Sequence, residues 1–108
     1  DVPVLIGGGG ERKTLRLVAE HATIWHGFGD AETLAHKNEV LNRWCVEVGR
    51  DPAEIERSAD AQGSGPDEVG EGLLAVGTRL ITLSTNSDNG FDLGLVRDWL
   101  QFRDAHNR

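Results

Sequence analysis

Methionine is absent from the 108 residues, and cysteine occurs once, at Cys45. A single thiol excludes an internal disulfide framework and fits a reducing compartment, so we expect a cytoplasmic protein. It also leaves no cysteine pair for a zinc site, and the four histidines, His21, His26, His36 and His106, lack the spacings that such sites use. We therefore expect no metal centre. No apolar run approaches the ~20 residues that a membrane helix requires, and we expect no membrane partner. Positive charge is scarce as well: 11 Lys and Arg face 18 Asp and Glu, for a net charge of -7. That balance argues against nucleic acid as a partner, because phosphate backbones need clustered cations. A chain without methionine that opens directly on an apolar run reads as a piece of something longer, processed or cut.

What is present begins with Val4-Leu5-Ile6 running into Gly7-Gly8-Gly9-Gly10 and then Glu11-Arg12-Lys13-Thr14-Leu15. Apolar residues, a turn without side chains and an amphipathic segment make a strand, a tight turn and a helix start. The unpaired first amides of a helix and its dipole favour an anion at such a place, so phosphate binding is the first functional expectation. Arg12 and Lys13 at the positive end of a helix are unfavourable unless an anion is near, although a tight turn with solvated cations reads equally well. Arg12 stands where G-x-x-x-x-G-K-[ST] needs its second glycine and where G-x-G-x-x-G needs its third, so neither nucleotide pattern is complete.

Residues 3–6 read as a short strand of the type buried on both faces. A helix follows from about Glu11 to Ala22, with Leu15, Val18, Ala19 and Ala22 on one stripe. Thr23-Ile24-Trp25-His26 is a second strand, and Asp30 caps a helix over 31–48 that ends at Gly49. Ile55–Ala59 is a weak strand or an irregular connector. Pro66, Asp67 and Glu68 open a helix to about Val76, although Gly70 and Gly72 each weaken it by roughly 1 kcal/mol. Arg79–Ser84 is the strongest strand, Asn86–Gly90 a turn, and Leu93–Ala105 a final helix. Strands alternating with helices predict an α/β fold with a parallel sheet, in one domain.

Beyond the turn, chemistry-bearing patterns are few. His26 ends a strand, where α/β proteins place site residues, and is read either as such a residue or as a half-exposed strand end. Trp44 and Trp99 belong to apolar stripes, whereas Trp25 and Phe28 are candidates for lining a cleft. Asp67, Glu68 and Glu71 read as a helix start rather than a catalytic acid pair, and Asp88-Asn89-Gly90 lacks the ligand ladder of a calcium loop. No complete set of catalytic residues is visible.

Pro3–Leu15 resembles the segment P-I-L-I-G-G-x-G-E-x-x-T-L of luciferase-like monooxygenases, in particular their deazaflavin-dependent oxidoreductase branch. The resemblance continues through Ala22-Thr23-Ile24-Trp25, Cys45–Glu56, Leu95–Trp99 and Phe102–Ala105. Thr23 departs from a common Asp, and His26 from a frequent Asn. The resemblance implies a (β/α)8 TIM-type barrel of which residues 1–108 form the C-terminal part, a single partial domain. It implies an oxidoreductase that transfers a hydride between a small organic substrate and the deazaflavin coenzyme F-420, or alternatively FMN. Gly7, Gly8, Gly9 and Gly10, with Glu11 and Arg12, would bind the phosphate tail of that cofactor. The groups that meet the reactive ring would lie on earlier strands, so no catalytic residue is assigned here and the isolated chain would be inactive. Two other readings stand beside it: a non-enzymatic module that self-associates through open sheet edges, and a stand-alone phosphate or nucleotide binder. Either way a homo-oligomer is expected.

Overall fold

The computed structural model describes residues 2–84 and 93–107. Among these residues, four strands and four helices alternate: β1 (Leu5–Gly7), α1 (Thr14–His21), β2 (Ile24–Gly27), α2 (Ala31–Val48), β3 (Glu56–Asp60), α3 (Pro66–Ala75), β4 (Thr78–Thr82) and α4 (Leu93–His106). A single 3-10 turn, Pro52–Glu54, precedes β3. The strands form one parallel sheet in the order β1-β2-β3-β4. The chain is therefore α/β, as its alternation of patterns predicts. The expected turn at Asn86–Gly90 lies outside the described residues.

The topology has a direct steric consequence. Crossovers between parallel strands are right-handed, and here each one steps to the next strand in the same direction. All the connecting helices must then fall on one face of the sheet. Ile6, Trp25, Ala59 and Ile81 join Leu15, Val18, Leu34, Leu41, Cys45, Leu73 and Trp99 in one apolar cluster. The alternate strand residues, Leu5, Ile24, His26, Ser58, Leu80 and Thr82, belong to the opposite face.

Local signals fix the helices closely. α2 spans the expected residues, with Asp30 Oδ1 accepting from the Thr33 amide at 2.9 Å and Gly49 closing it in the left-handed region at φ 75°. The bond from the Thr33 amide, and then the Thr33 side chain, hold the Asp30 carboxyl below its ordinary value. Gly70 has a packing role that the helix scale hides. A Cβ there would lie 2.7 Å from the Phe102 ring, so its absence admits the close approach of α4 to α3.

Besides shifts of one or two residues at the strand ends, two features differ from the sequence reading. β1 is not buried on both faces: Leu5 is 51% exposed, because it is an edge strand and helices cover one side only. α1 starts at Thr14 rather than near Glu11, because Leu15 donates to the Gly10 carbonyl across a wide turn that keeps residues 11–13 out of the helix.

At the far end, His106 Nδ1 meets the Phe102 carbonyl at 2.8 Å and Nε2 meets Glu71 Oε1 of α3 at 3.0 Å. The Phe102 carbonyl first, and then Glu71, raise the imidazole above its ordinary value of 6.5. Only the protonated ring donates from both nitrogens. Its contribution is complete below the ordinary value and is lost as pH rises through the raised one. Urea midpoints of the wild type are thus expected to fall more than those of His106→Gln between pH 5.5 and 8.5. The difference is small, since the pair is exposed.

Candidate functional site

The glycine turn emerges at the carboxyl edge of the sheet, past Gly7 of β1, whose register partner is His26 of β2. Its carbonyls are held one by one. Trp25 Nε1 donates to the Gly8 carbonyl at 2.7 Å, and Lys37 Nζ to that of Gly9 at 2.8 Å. The Leu15 amide donates to Gly10 at 2.9 Å and Trp44 Nε1 to Glu11 at 2.7 Å. In a planar trans peptide the N–H points opposite to the carbonyl that precedes it. Anchoring these four carbonyls therefore turns the amides of Gly9, Gly10, Glu11 and Arg12 the other way. No group among the described residues accepts from these amides.

Glycine is needed at particular points of this turn. Gly8 has φ 130°, which side-chain-bearing residues rarely adopt, and a Cβ on Gly10 would lie 2.9 Å from Thr14 Oγ1. Gly9 is not in that strained region, and its Cβ would meet the Lys37 side chain at 3.4 Å.

The charged residues of the turn divide into two groups. Glu11 is turned toward α2, with Lys37 Nζ at 2.8 Å and His36 Nε2 at 3.5 Å. The Lys37 hydrogen bond is the chief cause that holds its carboxyl below the ordinary 4.5. Glu11 thus braces the turn and is not one of its donors. Arg12 and Lys13 are exposed, and their side chains make no hydrogen bond or ion pair among the described residues. Arg16 is turned away: it pairs with Glu20 at 3.1 Å and lies over the Trp44 ring, 5.5 Å from its centroid.

Beside the turn, the face of the sheet that carries no helix among the described residues holds a polar row. His26 Nδ1 and Ser58 Oγ share a hydrogen bond of 2.8 Å, and the Phe28 ring stands edge-on to the imidazole at 5.2 Å between centroids. Ser58 is buried. One strand further, Thr82 Oγ1 donates to Asp60 Oδ1 at 2.7 Å, while Asp60 Oδ2 accepts from the Gln62 amide at 2.9 Å. With Gly7 next to His26, the neighbouring strand offers no side chain on that side.

The sequence singled out Gly7, Gly8, Gly9, Gly10, Glu11, Arg12 and His26, and these come together at one edge. It did not indicate Lys37, Trp44 or Ser58, which lie 26 to 33 residues away from their partners and carry no local signature. Trp25 is not a cleft-lining residue. It is 1% exposed, packed on the helix side, with its N–H committed to Gly8. Phe28, at 59% exposed, remains on the open side. Cys45 is buried and its thiol is pushed up by desolvation, which keeps it inert. Among the described residues no His, Cys, Asp or Glu cluster of three or more is arranged to hold a metal ion, and no helix is long and apolar enough to cross a membrane.

Comparison of the chain with protein-family models, with curated proteins and with solved structures returns no match.

Trp25→Phe removes the anchor of the Gly8 carbonyl and part of the core ring volume. It is expected to lower stability in urea by about 1–3 kcal/mol. It should also speed hydrogen exchange at the amides that follow Gly8. Stability loss with unchanged exchange would show that the anchor does not order the turn.

Proposed function

We propose that this chain is the carboxyl-terminal portion of a (β/α)8 barrel oxidoreductase of the luciferase-like type, and that its glycine turn holds the phosphate-bearing tail of a deazaflavin (coenzyme F-420) or FMN cofactor. The observation that carries this reading is the set of four anchored carbonyls, which leaves successive amides of the turn without protein acceptors at the carboxyl edge of a parallel sheet. That edge is where barrel and open α/β enzymes keep their sites. Sequential strand order with helices on one face is also what a segment of such a barrel requires.

The donor set fits a phosphate. The turn offers oriented amides, two exposed cations in Arg12 and Lys13, and a carboxylate, Glu11, already neutralised by Lys37 on another side. The turn would take the tail's charge, and Gly8 and Gly10 let Thr14 pack close beneath it, where a Cβ would meet Thr14 at 3.1 and 2.9 Å. The bound ring system would supply hydride transfer to a small organic substrate. Residues of this chain bind and orient; His26, fixed by Ser58, offers a further hydrogen-bonding group on the same edge. The groups that meet the ring would be supplied by earlier strands, so the 108 residues are expected to bind the tail without turnover.

Amide chemical shifts of the chain are expected to move over residues 9–14 on titration with FMN or the deazaflavin coenzyme, and more weakly with inorganic phosphate. Gly9→Val, at a position without backbone strain, puts its side chain against Lys37 and should weaken all three at least about tenfold by loosening the anchor of the Gly9 carbonyl. Arg12→Ala should weaken them several-fold, and less at high salt. Unchanged affinity in Gly9→Val would remove the phosphate assignment.

A further inference from the structure

The His26–Ser58 hydrogen bond has a direction, and the burial of Ser58 sets it. Ser58 is 2% exposed, and its Oγ has one hydrogen-bond partner among the described residues, His26 Nδ1 at 2.8 Å. A buried hydroxyl that only accepted would leave its own proton without an acceptor, at a cost of about 1–3 kcal/mol. The hydroxyl therefore donates and Nδ1 accepts. A neutral imidazole carries one ring proton, which must then sit on Nε2. His26 is half-buried, and its Nε2 meets no hydrogen-bonding group among the described residues. Ser58 thus turns an ambivalent side chain into a fixed donor.

Two neighbours indicate what such a donor meets. Gly7, the register partner of His26, has no side chain, and the Phe28 ring borders its place: a Cβ on Gly7 would lie 3.7 Å from Phe28 Cε2. Phe28 stands edge-on to the imidazole and is largely exposed. The Gly8 amide donates to the His26 carbonyl at 3.3 Å, so ring and imidazole sit where β1 enters the turn, just ahead of the free amides of residues 9–12. An apolar ring gains nothing from a phosphate, which the amides and cations of the turn serve better. A polyhydroxylated carbon chain suits both groups. Its C–H faces lie on an aromatic ring, and its oxygens accept from an N–H. Consecutive Cα atoms are 3.80 Å apart, so Gly9 lies within about 7.6 Å of Gly7, a length that a five-carbon chain spans.

We propose that His26 and Phe28 form a subsite for a polyhydroxylated chain esterified to the phosphate on the turn, with His26 Nε2–H donating to a chain oxygen. The ligand class is a phosphorylated polyol or sugar, a chemistry that a cofactor tail shares with a free sugar phosphate. Ser58 is a positioning residue, which acts only by holding the proton of His26 on Nε2. An amine placed there would confront a donor with a donor and is selected against. The inference rests on the phosphate reading of the turn and not on the identity of any ring system.

Side-chain 15N NMR of the chain at pH 8.5 reads the tautomer directly. The expected signature without ligand is a protonated Nε2 and an unprotonated Nδ1, and Ser58→Ala should give a mixture of the two tautomers. Ribitol 5-phosphate and glucose 6-phosphate, as open-chain and cyclic probes, separate a cofactor tail from a free sugar phosphate. At least one should move the His26 Nε2 resonance together with the amides of residues 9–12, whereas inorganic phosphate should move the amides alone. Phe28→Ala and His26→Phe should each weaken the better probe at least about threefold and leave inorganic phosphate within about twofold. Phe28 is largely exposed, so its substitution keeps the fold even if His26→Phe, which leaves the Ser58 hydroxyl without an acceptor, does not. A proton on Nδ1 in the wild type overturns the subsite and leaves the phosphate reading standing. The same holds if the amides respond alike to all three ligands while His26 stays unmoved. Amides that respond to none of the three remove the phosphate reading and the subsite with it.

Discussion

The rest of the structure depends on the single hand of the crossover between parallel strands. Because each of the three connections steps one strand in the same direction, the helices have no choice of face. The apolar residues of both sheet and helices then meet in one layer, from Leu15 and Val18 through Trp25 and Leu41 to Leu73 and Trp99. Among the described residues, the same constraint leaves one face of the sheet without helices, its two edges without a further strand, and all the strand-to-helix turns at one end. The glycine turn and the His26–Ser58 pair are neighbours for that reason, although 32 residues separate the two side chains of the pair.

Within that frame, the turn is organised by its carbonyls. A glycine run alone is conformationally loose and gives its amides no direction. Indole N–H groups from Trp25 and Trp44 and the ammonium of Lys37 fix the carbonyls, and peptide planarity then fixes the amides. Both tryptophans thus act as rigid hydrogen-bonding posts, with an apolar body in or against the core and a polar tip on the turn. Glu11 completes the brace by drawing Lys37 and His36 of α2 to the same segment. Glu11, which the sequence groups with the turn's charged residues, is committed to α2.

Arg57 shows the same economy on the opposite end of β3. Its guanidinium reaches Asn38 Oδ1 at 2.9 Å, Asn42 Oδ1 at 3.0 Å and the carbonyls of Pro52 and Ile55 at 3.0 Å. Neutral acceptors from α2 and the 3-10 turn thus seat a half-buried cation and tie the amino end of the strand to its neighbours. This end holds the unit together, whereas the carboxyl end presents the free amides, His26 and the exposed cations.

Strand and helix identity, the Asp30 and Gly49 caps, the parallel sheet and the place of the glycine turn were legible in the sequence, because each depends on residues within a few positions of one another. Periodicity, capping and turn chemistry are local interactions, and they are written in consecutive residues. The exposure of β1, the late start of α1, the buried post made by Trp25 and the bracing by Lys37 and Trp44 were not legible. Each depends on contacts between residues far apart in the chain, which exist only once the crossovers have stacked α1 and α2 on one face of the sheet. Gly70 shows both sides of this division: its sequence context shows a weak point in a helix, and only the approach of Phe102 shows why no side chain fits there. The sequence by itself determined the elements and the chemistry available at the turn. Tertiary structure decided which groups that chemistry faces, because burial and hydrogen-bond partners are properties of the packed chain.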